Sequence, residues 1–196
     1  MTPYHIIKTK TPDWSKVPSV SLQNIGWLPD RGIKATAQLC HDGENLYVRM
    51  EAVEAKIRAE LKDPLAQVCE DSCLEFFFAP DGEDFRYFNF EFNLLGNSYI
   101  GFGRERARRA RQLPANMEQF AVRPYETENG WGVTYQIPGD YIRLYLPEFS
   151  FSGQAACNFY KCGDLTETPH YLSWAPMTCD QPDYHRRQDF GTLIFD

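Results

Sequence analysis

One run constrains the fold of this chain more than any other: YFNFEFNL, residues 87–94. Phe88, Phe90, Phe92 and Leu94 alternate there with Tyr87, Asn89, Glu91 and Asn93. A period of two puts the first set on one face of a β-strand and the second on the other. A helix would mix the two sets around its circumference. One face is therefore built to pack. The other carries amides and a carboxylate, where an exposed strand commonly mixes Thr, Lys, Ser and Glu.

The same period recurs along the chain. IKATAQLCHD (33–42) and LYVRMEAV (46–53) flank an Asp42-Gly43 turn signal and read as a hairpin. SCLEFFFA (72–79), RYFNFEFNLL (86–95), SYIGFG (98–103), WGVTYQIP (131–138), FSGQAACNFYKC (151–162) and FGTLIFD (190–196) read as further strands. Helical signal is sparse. VEAKIRAEL (53–61) reads as a short amphipathic helix stopped before Pro64, and GDYIRLYLP (139–147) as a turn or two. RERARRARQL (104–113) has good helix formers but little apolar face. Short strands joined by Gly, Pro and Asp turns predict an all-β fold, a two-sheet antiparallel β-sandwich with a few short helices, as one domain over residues 1–196. An up-and-down barrel fits the same periodicity.

Composition narrows the function. A formal charge of −7 argues against a general binder of nucleic acid or anionic membranes. No run approaches the ~20 apolar residues of a membrane helix. MTPYHIIKTK has no apolar leader core. Read as the native start, Met1 implies a cytoplasmic protein; a secreted protein without its leader would look the same. Six cysteines are present. Free buried thiols are the favoured reading. The alternative brings Cys69, Cys73, Cys157 and Cys162 together as a zinc site, although their spacings differ from the common C-x2-C.

In a sandwich the inner face of each sheet packs and the outer face meets water. Asn89, Glu91 and Asn93 would then stand ~7 Å apart on the outer face. If that face is concave, they line a groove. Amides and carboxylates suit sugar hydroxyls, which both donate and accept hydrogen bonds. A solvated outer face is the other reading.

Several segments, in order, resemble one known family. AQLCHDGENLYVRMEAVE resembles its "D-x-x-LYV" hairpin, and CEDSCLEFFFAP its "D-S-V-E-I-F" strand. YFNFEFNLLG follows as its aromatic and Asn-Gly segment. GWGVTYQIP resembles its "G-W-x-x-E-x-x-I-P" strand, and CNFYKCG its "F-N-x-x-R" strand. HYLSWAP and PDYHRRQDFGTLIF resemble its closing "S-W … F-H-x-P-x-x-F-G-x-L". The chain from about Ala35 onward thus resembles the family 9 carbohydrate-binding modules within the DOMON-like, jelly-roll β-sandwiches. The resemblance implies lectin-like, non-catalytic binding of a mono- or oligosaccharide, a glycoside hydrolase-associated role in polysaccharide catabolism, and no cofactor beyond a possible structural calcium. DGEN and PDGED hold carboxylates for such an ion, and these are also ordinary turn residues.

The resemblance also assigns residues. Family members clamp a terminal sugar between two aromatic rings. One ring corresponds to Tyr184, six residues before Phe190; the second position is held here by Val68. The strand glutamate corresponds best to Glu75, a polar contact on the next strand falls near Glu91, and another polar side chain falls at Tyr160 or Lys161.

Other candidates come from the residues themselves. RERARRAR holds five arginines, which read as a solvated, charge-balanced segment or as a cationic rim. Arg104 directly follows SYIGFG and is the one expected to reach the groove. His185 is read as a ligand contact or as a tie for its loop. Trp174 is a candidate platform, with a core position favoured, and Trp14, Trp27 and Trp131 are expected in the core or its rim. Glu75 and Glu91 facing each other across strands would suit a glycosidase, the runner-up function; a site for another small ligand or protein partner is the third. Met and His residues show no pairing that suggests haem.

Overall fold

The computed structural model describes residues 1–113 and 115–196. In chain order the strands are β1 (Tyr4–Lys8), β2 (Ser19–Ser21), β3 (Asn24–Ile25), β4 (Lys34–His41), β5 (Asn45–Val53), β6 (Cys73–Ala79) and β7 (Tyr87–Asn93). They continue as β8 (Ser98–Gly103), β9 (Arg109–Gln112), β10 (Arg123–Thr127), β11 (Gly130–Pro138), β12 (Gly153–Cys162), β13 (Tyr171–Ser173) and β14 (Gly191–Phe195). One short helix, α1 (Gly139–Arg143), follows β11.

The alternating runs form strands where the sequence placed them. Asp42 fixes the β4–β5 turn. Its Oδ1 accepts from the amides of Glu44 and Asn45, and its Oδ2 from the Tyr47 hydroxyl at 2.6 Å. Gly43 holds φ at +100°, which a side chain would resist. The turn uses this carboxylate internally.

The expectation of two separate antiparallel sheets is corrected. The strands form one curled, mixed sheet in the order β10-β11-β5-β4-β1-β14-β12-β6-β7-β8-β9. β1 is the reason. It runs parallel to β14 through Tyr4 opposite Leu193, then parallel to β4 through Ile7 opposite Cys40. Five residues thus bridge two antiparallel arms. Tyr4 and Ile6 point inward and are buried, so the bridge belongs to the core.

The arms curl face to face around one apolar core. Phe90 and Phe92 of β7 meet Tyr135 of β11 at ring separations of 6.4 and 4.6 Å. Phe76 of β6 stacks on Phe159 of β12 at 5.1 Å. Leu94 packs at the margin of this core. Each fully buried Phe contributes about 1.5–3 kcal/mol, so the packed half of the YFNFEFNL run anchors the fold.

One expected helix is absent, and the arginine-rich run is a turn and strand. Residues 53–61 leave β5 as irregular chain because their amides find another acceptor. Glu60 and Leu61 donate to Asp71 Oδ2 at 3.0 and 2.9 Å, and Arg58 pairs with Asp71 Oδ1. Residues 104–108 make a tight turn in which the Arg104 amide donates to Arg108 O, and the chain returns as β9 beside β8. The helix expected near 139–147 is present as α1.

The polar face of β7 is also not a solvated surface. Asn89, Glu91 and Asn93 are all buried. Segments around 61–72, 163–171 and 179–190 cover that side. Val68, Phe77, Tyr87, Tyr160 and Tyr184 form a second cluster beneath them, separate from the core between the arms.

Candidate functional site

Under this cover lies a cavity of about 180 Å³. Glu75 and Glu91 form its floor, directly opposite each other on β6 and β7. Cys162 of β12 lies beside them. Tyr184, Trp27 and Tyr171 supply an aromatic wall, with Tyr99 of β8 elsewhere on the lining. The exposed residues Gln67, Arg106 and Pro182 stand at the mouth.

Each wall has a local cause. Tyr184 stacks on Tyr160 at 3.9 Å, and its hydroxyl lies 3.3 and 3.2 Å from the carbonyls of Lys161 and Leu172. The ring is therefore held flat and cannot swing. Trp27 lies 5.5 Å from Tyr184 and 5.4 Å from Tyr171, and its Nε1 donates to Cys179 O at 2.8 Å. Its backbone sits at φ +53°, a region bulky residues rarely adopt. Such geometry persists only where surrounding contacts hold it, commonly at functional sites.

The floor is set by a relay. Arg109 Nη2 donates to Asn89 Oδ1 at 2.5 Å, and Asn89 Nδ2 donates to Glu91 Oε1 at 2.6 Å. A guanidinium can only donate, so the relay has one direction and fixes the amide. Arg109 also lies over the Tyr87 ring at 4.5 Å. Gly101, opposite Asn89 on β8, makes room: a Cβ there would stand 2.4 Å from Asn89 Oδ1 and 3.0 Å from Arg109 Nε.

His185 lines the same cavity. Its Nδ1 lies 3.0 Å from Arg109 Nη1 and 3.1 Å from the Tyr87 hydroxyl. Because Arg109 can only donate, Nδ1 accepts, and the neutral ring carries its proton on Nε2. Burial, then Arg109 and Arg106, depress its pKa to about 2. The site gains a fixed neutral donor. Burial and mutual repulsion push Glu75 well above the usual carboxylate range. Burial also raises Glu91, against the pull of Asn89 and Arg109. Asp164, on the opposite lip, is raised by burial as well.

Among the candidates read from sequence, Glu75, Glu91, Tyr184 and His185 share this cavity, with Asn89 and Tyr160 directly behind it. The others lie elsewhere. Asn93 Nδ2 bonds Leu61 O and Asp71, while its Oδ1 accepts from Leu95 and Asn97, so it holds a turn. Arg104 is exposed on a separate shallow hollow, because the turn after β8 directs it away. Arg106 and Arg109 take the place expected of it. Lys161 points from β12 to the opposite face, where its Nζ meets His170 Nε2 at 2.7 Å and Glu54 Oε2 at 3.2 Å. Trp174 packs in the main core against Tyr4 and Phe159. Val68 is buried and offers no second ring. Trp27, expected in the core or its rim, packs at the rim of the second cluster and from there also lines the cavity.

Sequence reasoning missed Trp27, Tyr99, Arg106, Arg109, Asp164 and Tyr171. The signal for Arg109 was present: once GRERARRAR is read as a hairpin, period two points Arg109 and Arg111 to one face. Arg111 lies over Tyr99 at 4.4 Å and donates to Leu65 O and Pro64 O, which pins the loop that carries Gln67.

The cysteines are free. Cys157 and Cys162 differ by an odd number of residues on one strand, so they face opposite sides. Cys157 lies in the main core, which removes it from the four-cysteine group. Cys73 and Cys162 are register partners, and with Glu75 their ligand atoms all lie within 4.8 Å of one another.

A family model described as carbohydrate-binding family 9 matches residues 2–195. The chain is similar to a Bacteroides uniformis protein proposed to bind carbohydrate, with 27% identity, a TM-score of 0.82, and coverage of 100% of this chain and 98% of that one. It is also similar in fold to a family 9 carbohydrate-binding module from Caldicellulosiruptor kristjanssonii solved with glucose, at 11% identity, TM-score 0.68, and 98% and 95% coverage. A cellotriose complex of such a module from that organism gives 10% identity, TM-score 0.69, and 98% and 93% coverage. None of the curated proteins compared matches the chain.

Proposed function

The chain belongs to carbohydrate-binding family 9, and from that premise we propose that the cavity beneath residues 179–190 binds one sugar residue without cleaving it. The observation that carries this reading is the meeting, in one cavity, of fixed rings and fixed polar groups. Trp27, Tyr171 and Tyr184 offer apolar surface for the faces of a pyranose. Glu91, Glu75 and Asp164 accept from hydroxyls, and Arg106, Arg109 and His185 donate to them. Both roles are needed because every hydroxyl is donor and acceptor.

The cavity is small. About 180 Å³ falls below the ~300–1,000 Å³ of sites for larger ligands. This supports recognition of a monosaccharide or of the terminal residue of a longer glycan, with the remainder leaving past Arg106 and Pro182. Glucose and cellotriose, the ligands of the similar modules, are the first to try. The proposed setting is carbohydrate catabolism, with a glycan end as partner rather than nucleic acid or a membrane. No helix among the described residues is long and apolar enough to cross a membrane.

The placement of the glutamates favours binding over hydrolysis. A glycosidase sets its two carboxyls on opposite sides of the scissile bond. Glu75 and Glu91 instead stand side by side on one floor, as direct cross-strand neighbours. Titration calorimetry with a panel of mono- and oligosaccharides tests the reading. One saturable site is expected, with aryl glycosides left intact. A folded protein that gives no heat with any saccharide would overturn it.

A further inference from the structure

Two of the six thiols differ from the rest. Cys40 and Cys157 are fully buried, and burial raises both thiols. Such cysteines act as small apolar side chains. Cys73 and Cys162 are equally buried but stand beside a carboxyl. Cys162 Sγ lies 2.8 Å from Glu75 Oε1, and among the described residues this thiol is the one hydrogen-bond donor to Glu75. Glu75 forms no salt bridge among the described residues. The nearest cations are engaged elsewhere, Arg106 with Asp183 and Arg109 with Asn89. Three groups whose protons a metal ion can displace therefore converge in a buried place.

The backbone explains the convergence. Cys73 and Glu75 are two residues apart on β6, so they share a face. Cys162 is the register partner of Cys73 on β12 and projects to the same face. Three donors thus come from rigid, paired strands rather than from loops. Tetrahedral zinc with sulfur at 2.3 Å and oxygen near 2.0 Å needs ligand atoms about 3.3–3.8 Å apart. A group already within 4.8 Å reaches that by small side-chain rotations. Glu75 and Cys162 both line the cavity, which leaves a fourth position open to water.

We propose that Cys73, Glu75 and Cys162 form a binding site for a thiophilic divalent cation of the zinc class, with two thiolates and one carboxylate as ligands. The site does not depend on the saccharide reading. Binding releases the ligand protons, and the ion balances the thiolates and carboxylate so formed. The two sulfurs select zinc or cadmium over calcium and magnesium, which prefer oxygen.

The test uses the reduced full chain. Zinc is titrated against a chromophoric chelator, and cadmium is followed by its thiolate charge-transfer absorption. One equivalent is expected, with a sulfur band for cadmium. Cys73→Ser and Cys162→Ser should each weaken binding more than about 100-fold, since losing an outer-sphere partner alone costs 10–100-fold. Cys157→Ser and Cys179→Ser should leave it unchanged. X-ray absorption on the wild-type zinc complex gives a readout that needs no variant; a shell of two sulfurs with oxygen is expected. A shell of nitrogen and oxygen alone, no uptake by the reduced protein, or undiminished uptake by Cys73→Ser/Cys162→Ser would overturn the proposal.

Discussion

Tyr160, Lys161 and Cys162 are consecutive on β12, yet they serve two polar clusters of opposite character. On the inner face, Lys161 is fully enclosed between the arms. Its ammonium meets His170 Nε2 at 2.7 Å, Cys162 O at 2.8 Å and Glu54 Oε2 at 3.2 Å. Glu54 Oε1 accepts from Trp131 Nε1 at 2.6 Å, and His170 Nδ1 donates to Thr168 O. Acid and base are balanced there. On the outer face, Tyr160 and Cys162 belong to the cavity cluster, where Glu75 and Glu91 face one another with one indirect tie to a cation. The balanced cluster is closed and fixes the fold. The unbalanced one is open and has capacity left for a ligand. Consecutive polar side chains on one strand thus divide by whether the cluster they join is already supplied with partners.

That contrast can be broken at Lys161, where the largest effect is expected. Lys161→Met leaves Glu54 buried without its cation, and chemical denaturation should show a loss of about 3–5 kcal/mol. The protein that remains folded should keep its saccharide affinity. A second substitution, Glu54→Gln, should recover part of the loss, because the two residues are coupled.

Acid should strain both clusters, since each holds a neutral histidine. Burial and Lys161 depress His170 to about 4, and burial and Arg109 depress His185 to about 2. A histidine with a folded pKa below its unfolded value binds fewer protons in the fold. Its stabilising effect is complete above about pH 6.5 and is lost as pH falls through that value toward the folded one. The histidine contribution should therefore decline below about pH 6.5, by at most about 1.4 kcal/mol per pH unit for each histidine, while the raised Glu75 and Glu91 bind more protons in the fold and act in the opposite sense over the same range. The histidine part is read by difference: a change in thermal midpoint from pH 7 to 5 that is the same in the wild type, His170→Asn and His185→Asn would contradict both assignments.

Trp27→Ala is the reciprocal of Lys161→Met. It should weaken saccharide binding by about 0.5–1.5 kcal/mol, roughly twofold to tenfold by calorimetry. The denaturation midpoint should move far less than in Lys161→Met. Arg108→Ala gives the smallest effect. Arg108 is exposed and, among the described residues, its side chain pairs only with Glu105 across its own turn, so neither stability nor affinity should change measurably.

The long strands β4 to β8, β11, β12 and β14 were legible because their period-two alternation survives the tertiary context. Phe88, Phe90 and Phe92 announce their face in any register. What covers the other face was not legible. Tyr87, Asn89, Glu91 and Asn93 are buried by chain more than sixty residues away in sequence as well as by their neighbours, and no local pattern encodes that. The same holds for the site. Glu75 and Glu91 are visible as paired glutamates on neighbouring strands. Trp27 and Tyr171 become neighbours of Tyr184 only through loop packing, and Asp71 turns a helix-like stretch into stitched coil through bonds to Glu60 and Leu61. β1 was missed because YHIIK is short and its parallel partners lie at residues 40 and 193.

That bridging strand bears on how the chain is made. Tyr4 must find Leu193 before the two arms are joined through hydrogen bonds. Residues 4–8 are made well before residues 191–195, and their β14-facing edge waits unpaired until those have been made. Pairings of such long range form late and slowly. During synthesis the β14-facing edge of β1 and the inward-facing rings of β6 and β7 are on offer to other chains. Substitutions in residues 4–8 should therefore lower the yield of soluble protein more than they change the finished molecule.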